Sequence, residues 1–149
     1  MREIKFRGKC LKSDTWIYGS LFNSIWRKSA DGSRVCYIFP DNMLDDDNGG
    51  GDCWEDFAKV AEQYEVDPAT VGQYTGLKDK NGREIYEGDI IGRSDGSING
   101  WEWPFKSEIK RNDEECGFNT PNWGGDMDST HYYNVLGNIH DNPDLPKTE

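Results

Sequence analysis

The alternation of apolar and polar residues predicts a chain built mainly from short β-strands. Ile4–Phe6 alternates with period two, and Trp16–Tyr18 follows a polar turn. Because this spacing puts apolar side chains on one face of a strand, we expect these segments to form a hairpin or two neighbouring strands. Leu21–Trp26 is expected to continue the sheet, and Val35–Phe39 forms a further β-rich run that ends at Pro40.

The clearest hairpin signal lies between Leu77 and Ile85, which enclose the loop Lys80-Asn81-Gly82. A three-residue loop that ends in glycine is typical of a type I turn followed by a G1 bulge. Gly82 is therefore predicted to have a positive φ. This register predicts two oppositely charged cross-strand pairs and one apolar pair, namely Asp79–Arg83, Lys78–Glu84 and Leu77–Ile85.

A second turn, Glu87-Gly88-Asp89, leads into the apolar pair Ile90-Ile91. Glu87 and Asp89 could act as paired catalytic carboxylates. Acids in β turns more often accept hydrogen bonds from nearby backbone amides, so the structural interpretation is favoured and no catalytic residue is assigned. The residues expected to have structural roles in turns are Gly76, Asn81, Gly82, Gly88 and Asp89.

Residues 41–67 are strongly acidic, with ten acids and a single lysine. Asp45, Asp47 and Asp56 fall at positions one, three and twelve of an EF-hand loop, but Gly49 stands where a ligand is needed. An acidic, glycine-rich surface loop is therefore favoured over a calcium site, and no metal is expected.

Residues 52–64 carry the best helix signal. Asp52 and Glu55 resemble a capping box, and Val66-Asp67-Pro68 is expected to end the helix. Five apolar residues recur at helical spacing: Trp54, Phe57, Val60, Ala61 and Tyr64. This stripe is predicted to pack onto the sheet.

Trp101, Trp103 and Phe105 alternate around the polar Glu102. The run is either a strand with an aromatic face, which is favoured, or an exposed patch that binds another protein. These three aromatic residues are the candidate protein-interaction residues.

Charge and composition narrow the classes of function. The net charge of −11 repels phosphate backbones and acidic membranes, which disfavours nucleic-acid and lipid partners. Only 34% of the 149 residues are hydrophobic, and many of these are aromatic. Because this supply is thin for a lone monomer, burial against further copies is favoured and a homo-oligomer is expected.

The opening of the chain carries its one basic cluster, which comprises Arg2, Lys5, Arg7, Lys9 and Lys12. It is either a site for phosphate or an acidic partner, or a solvated strand face, and the second interpretation is favoured. No apolar run approaches membrane-spanning length, and Met1-Arg2-Glu3 does not open a signal peptide, so a cytoplasmic location is expected. Four scattered cysteines are expected to be free thiols, in preference to a zinc site: Cys10, Cys36, Cys53 and Cys116.

The stretch at 71–91, VGQYTGLKDKNGREIYEGDII, resembles the signature of the YopX family, small proteins encoded mainly by bacteriophages and prophages. The opening MREIKFRGK with Trp16–Gly19, and the closing Val135–Ile139, resemble the two ends of the family. The resemblance implies a mostly β fold with an SH3-like barrel in the C-terminal half. It implies no assigned activity.

Together these observations predict a mainly β fold with one short helix. An N-terminal β subdomain at 1–70 is expected to hold the acidic loop and the helix, the SH3-like barrel that the resemblance implies is assigned to 71–140, and a polar tail at 141–149 is expected to fray. The expected function is a non-catalytic, oligomeric protein-interaction module in the host cytoplasm that binds itself and a host or phage protein, without a cofactor. The alternative is a nucleic-acid-associated phage protein that uses the basic N-terminal strand region.

Overall fold

The protein is mainly β, as the sequence predicts, and its described residues form antiparallel sheets and one short α-helix. The computed structural model describes residues 3–28, 30, 32–41, 54–92, 97–98, 101–102, 106–114, 117–119 and 133–145. The chain folds into two compact units, one from Glu3 to Gln73 and a second from Tyr74 onward.

The elements follow one another along the chain in this order: β1 (Phe6–Lys9), β2 (Trp16–Lys28), β3 (Arg34–Phe39), α1 (Trp54–Ala61), β4 (Glu65–Val66), β5 (Gly72–Lys78), β6 (Glu84–Tyr86), β7 (Asp89–Gly92), β8 (Ser97–Ile98), β9 (Trp101–Glu102), β10 (Lys106–Glu108), β11 (Lys110–Asn112), β12 (Gly117–Asn119) and β13 (Asn134–Asn138). Two short 3-10 segments, Glu62–Tyr64 and Pro68–Thr70, flank β4.

The sheet of the N-terminal unit closes on itself. Its strands pair in the order β4-β3-β2-β1, and β4 returns to the end of β1 through a bridge between Cys10 and Val66. Leu11 N–H donates to the carbonyl of Glu65 at 3.0 Å, and Asp67 N–H donates to the carbonyl of Lys9 at 2.9 Å. This closure satisfies backbone groups that would otherwise form an open edge.

Small residues permit the close packing inside this closed sheet. A Cβ added at Gly8 would meet Ile38 and Val66 at 3.0 Å, and both of these side chains are completely buried. A Cβ at Gly19 would lie 2.0 Å from the carbonyl oxygen of Phe39. Since β2 and β3 pair at this point, only glycine fits at position 19.

The helix α1 is shorter than predicted, because a 3-10 turn replaces its last residues. Ala61 is buried and packs with Val35 and Tyr37, in agreement with the predicted stripe. Val60 does not belong to that stripe, since its side chain is 40% exposed. The side chains of Trp54 and Phe57 lie outside the described residues.

In the second unit, β7 is the central strand, paired with β10 on one side and β13 on the other. All four residues of β7 are buried. Ile85, Ile91, Ile109 and Tyr133 form the core. The predicted SH3-like barrel is not confirmed for the strands described here and stays a prediction.

Hydrogen-bonded turns continue the chain beyond β13 over residues 139–145, and the predicted fraying of the tail stays a prediction. The side chain of Asn138 accepts from the N–H groups of His140 and Asp141 at 2.9 Å each. Leu145 N–H donates to the carbonyl of Asn142 at 3.0 Å. Among the described residues, no helix is long and apolar enough to cross a membrane.

Candidate functional site

The hairpin turn between β5 and β6 has the predicted geometry. Gly82 has a φ of 81°, Gly82 N–H donates to the carbonyl of Asp79, and Asp79 N–H donates to the carbonyl of Arg83 at 2.8 Å. Both bonds are typical of a type I turn with a G1 bulge. The predicted cross-strand pair Lys78–Glu84 is also present.

Asp79 lies opposite Arg83 as predicted, and the Asp79 carboxylate accepts hydrogen bonds from backbone N–H groups. Asp79 is 5% exposed, and its Oδ1 accepts from the N–H groups of Asn81 at 2.8 Å and Arg83 at 2.9 Å. Its Oδ2 accepts from Val135 N–H at 3.1 Å. A buried carboxylate that accepts hydrogen bonds from three backbone N–H groups stabilises a turn more than a surface ion pair does. Few water molecules compete with these buried hydrogen bonds.

The same turn holds the beginning of β13. Lys80 N–H donates to the carbonyl of Tyr133 at 3.0 Å, and the side-chain amide of Asn81 donates to Asn134 Oδ1 at 3.0 Å. With the bond from Val135 to Asp79, three consecutive turn residues contact the start of the last strand. The turn therefore fixes a long-range contact as well as a local hairpin.

The second turn holds the other end of β13. Ile139 N–H donates to the carbonyl of Gly88 at 3.0 Å, and Gly88 N–H donates to the carbonyl of Ile109 at 2.8 Å. Gly88 has a φ of 81°. Asp89 is completely buried, and its Oδ2 accepts from Tyr86 N–H at 2.9 Å. This contact favours the structural interpretation of the turn carboxylate.

Gly76, which was expected to have a structural role in a turn, lies inside β5 at an irregularity that the sequence did not predict. Between the pairs Tyr74–Tyr86 and Lys78–Glu84, β5 has two more residues than β6. Gly76 lies in this bulge with a φ of 85°, a conformation that favours glycine. The predicted pairing of Leu77 with Ile85 is replaced here by side-chain packing in the core.

The two turns described above thus share one role, which is to hold other strands in place. Each described turn orients backbone groups that bind β13 or the residue between β10 and β11. A buried carboxylate that accepts backbone N–H groups is poorly placed to exchange protons with a substrate. Both turns therefore support the fold.

An exposed aromatic strip lies on β2, in a segment where the sequence pattern predicted only a continuing strand. Tyr18 is 40% exposed and Phe22 is 53% exposed. Ser20 between them is also exposed, whereas Gly19 is buried and Leu21 is partly buried. Because alternate residues of a strand share a face, Tyr18, Ser20 and Phe22 form one continuous strip, which we call the β2 strip.

Phe22 of the β2 strip packs beside aromatic rings of the neighbouring strand β3. The Phe22 ring centroid lies 6.4 Å from those of both Tyr37 and Phe39, and the Tyr37 and Phe39 rings stack at 5.9 Å. Phe39 also contacts Tyr64 at 5.7 Å. These contacts hold Phe22 in a fixed position although half of its side chain faces solvent, a property of residues that anchor interfaces.

The predicted basic patch is only partly at the surface. Arg7 is 3% exposed, and its guanidinium lies 4.8 Å above the ring of Trp16. Lys9 Nζ lies 3.2 Å from Asp14. Arg7 is therefore neither a solvated residue nor one presented to a phosphate backbone, which contradicts both interpretations for that position.

The candidate interaction residues Trp103 and Phe105 lie outside the described residues. Trp101 lies in β9, where it pairs with Ile98, but its side chain is not among those described. The acidic residues considered for calcium, Asp45 and Asp47, are likewise outside the described part of the chain. Their proposed roles stay predictions.

Two of the four cysteines are described, and both are free thiols. Burial acts to raise the pKa of the Cys10 thiol, but hydrogen bonds from Ser13 and Lys12 outweigh it, so the pKa lies below its ordinary value. Burial raises the pKa of Cys36. Among the described residues, no group of three metal-ligating side chains comes together.

The fold and the turn geometry define a mainly β protein. Its most recognisable segment of sequence, at 71–91, has a structural role. The family model described as "YopX protein" matches residues 5–147, and the chain belongs to the YopX family. A search of curated proteins finds no match. The crystal structure of protein EF1440 from Enterococcus faecalis is similar, with a TM-score of 0.53 and 23% identity over 99% of this chain and 100% of that one. At this identity the similarity extends to the fold alone.

Proposed function

We propose that this protein is a non-catalytic interaction module that assembles with copies of itself and binds a further protein. The observation that supports this function is the β2 strip, where the anchored but exposed Phe22 shares a strand face with a second exposed ring, Tyr18. Exposed aromatic side chains held by a rigid sheet are typical of protein-binding surfaces. The proposed setting is the cytoplasm of a bacterial host, in the life cycle of a phage or prophage.

The burial and hydrogen bonding of the turn carboxylates support the non-catalytic part of this proposal. Asp79 and Asp89 are the buried acids of 71–91, and each accepts at least one backbone N–H. General acid-base catalysis needs a group that can exchange a proton with a substrate. Groups committed to holding backbone amides stabilise the fold instead.

Burial of Arg7 and the ion pair of Lys9 weaken the alternative of nucleic-acid binding. Phosphate contacts depend on exposed lysine and arginine side chains, and the net charge of −11 acts against such contacts at long range. We therefore expect no measurable DNA affinity at physiological salt.

The test combines light scattering, a salt-controlled DNA-binding assay and affinity capture from infected or lysogenic cells. The proposal predicts an oligomer, no DNA binding, and a specific captured protein whose retention falls with Trp103→Ala. A monomer that binds DNA more tightly than about micromolar at roughly 150 mM salt would support the alternative. Hydrolysis or transfer activity abolished by Asp89→Asn, with the fold preserved, would contradict the non-catalytic assignment.

A further inference from the structure

The exposed charges of residues 71–91 are all positive, although the whole chain has a net charge of −11. The acidic residues of this segment are buried or half-buried, and the two buried ones, Asp79 and Asp89, accept backbone N–H groups. The exposed charged residues are Lys78, Lys80 and Arg83. These three residues surround the turn between β5 and β6, and we call them the basic tip.

The charges of the basic tip are not neutralised by neighbouring acids. Among the described residues, neither Lys78 nor Arg83 lies in an ion pair. Glu84 is the cross-strand partner of Lys78, but its carboxylate accepts a hydrogen bond from the Tyr86 hydroxyl at 2.6 Å. The tip therefore presents positive charge to an incoming ligand.

The backbone that carries the basic tip is held in place by hydrogen bonds. Arg83 N–H donates to Asp79 Oδ1 at 2.9 Å, and Lys80 N–H donates to the carbonyl of Tyr133 at 3.0 Å. Lys78 pairs with the residue next to Arg83, and paired strands lie about 4.8 Å apart, so cations on both strands can reach one ligand. A backbone that is already ordered reduces the entropy lost on binding.

The chemistry of the basic tip fits a short acidic segment of a protein. A guanidinium binds a carboxylate through two parallel hydrogen bonds, and each lysine adds a point charge. The net charge of −11 repels a long polyanion wherever it extends beyond the tip by more than the screening distance, which is about 8 Å at physiological ionic strength. A short segment confines its carboxylates to the tip, whereas a nucleic-acid duplex does not.

From these observations we propose that the basic tip binds an acidic segment of a partner protein. This proposal rests on the proposed function, because it names the chemistry of the further protein that the module binds. The contact lies in the C-terminal unit, whereas self-assembly is assigned to the β2 strip. The backbone and the buried carboxylates of the turn hold the fold, and its exposed cations contact the partner.

A titration of the isotope-labelled full chain with a hexaglutamate peptide, followed by nuclear magnetic resonance, tests this contact. The backbone amide signals of residues 78–83 should shift, whereas hexaglutamine should leave them unchanged. A double variant, Lys78→Gln with Arg83→Gln, should bind hexaglutamate about fivefold more weakly or less, because it removes two of the three cations. Its amide spectrum also reports whether the fold is kept.

The matched control is Lys12→Gln with Arg34→Gln, which removes one exposed lysine and one exposed arginine from the N-terminal unit. It should bind hexaglutamate as the wild type does. Equal weakening in the two double variants, or unchanged signals at residues 78–83, would overturn the proposal and leave the proposed oligomer standing. A short DNA duplex that shifts the same signals at lower concentration than hexaglutamate would also overturn it. A monomeric wild type that binds hexaglutamate at the tip would support the basic tip and contradict the proposed self-assembly.

Discussion

The two units of this protein use their polar and aromatic residues for opposite purposes. In the C-terminal unit, the polar residues of the turns are directed inward, where Asp79 and Asp89 accept backbone N–H groups. In the N-terminal unit, backbone pairing closes the sheet together with the Thr70 hydroxyl, which accepts from Lys9 N–H at 2.8 Å, and two aromatic side chains of β2 remain exposed. The most recognisable stretch of sequence is therefore a structural one, while the candidate binding surface lies in a strand without a conspicuous motif.

The largest effect on stability is expected from Gly19→Ala in the N-terminal unit. The added Cβ would lie 2.0 Å from the Phe39 carbonyl oxygen and 2.7 Å from its carbon. Because the obstacle is backbone in a paired strand, we expect a loss of about 3 kcal/mol or more. Chemical denaturation measures the loss. The neighbouring, exposed Ser20→Ala should change stability by less than about 0.5 kcal/mol, and equal effects of the two substitutions would contradict the packing at Gly19.

The next largest effect is expected from Asp79→Ala in the C-terminal unit. Removal of the carboxylate leaves three backbone N–H groups without their acceptor, which should cost about 2–4 kcal/mol. Asp113→Ala is the control, since that side chain is 86% exposed and lies 2.9 Å from Arg111. A surface pair of this kind contributes less than about 1 kcal/mol. Denaturation curves that coincide for the two variants would show that Asp79 does not hold the turn.

The turn at Gly82 was predictable from sequence, and the role of Asp79 was not. Asn81-Gly82 between two short strands is a local signal, and the observed φ of 81° agrees with it. The acceptor role of Asp79 depends on Val135, which is 56 residues away along the chain. Charge patterning suggested Arg83 as the partner, because a sequence shows which side chains are opposite in charge but not which backbone amides a fold brings near.

The other differences between the prediction and the structure have the same cause, because they also depend on contacts between residues that are far apart in the sequence. The closure of the N-terminal sheet depends on a bridge between Cys10 and Val66, two residues with no shared motif. The exposure of Phe22 depends on the position of Tyr37 and Phe39 beside it on the neighbouring strand. Strand periodicity predicts which residues share a face, but the packing of other elements decides which face is covered.

A smaller effect is expected from Gly82→Ala. The turn needs a left-handed residue here, and a Cβ would meet nothing within 4 Å, so backbone strain is the main cost at about 1 kcal/mol. Gly82→Asn should lose less than Gly82→Ala, because asparagine tolerates the left-handed region better than alanine. Thermal denaturation of the two variants tests this order. A neutral alanine variant would contradict the requirement for positive φ.

The smallest effect on stability is expected from Phe22→Ser. Half of this side chain already faces solvent, so the variant should lose about 1 kcal/mol or less measured on the monomer. Denaturation at low protein concentration checks this value. A much larger loss would indicate that Phe22 belongs to the core and would remove it as a candidate contact residue.

Stability and self-association are expected to depend on different residues of this protein. The most direct measurement is the solution mass of Asp79→Asn and Phe22→Ser, determined side by side by light scattering below their melting temperatures. Asp79→Asn should keep the wild-type mass, because Asp79 is buried and lies outside the β2 strip, whereas Phe22→Ser should shift toward the monomer. A monomeric Asp79→Asn beside an unchanged Phe22→Ser would contradict this separation of roles.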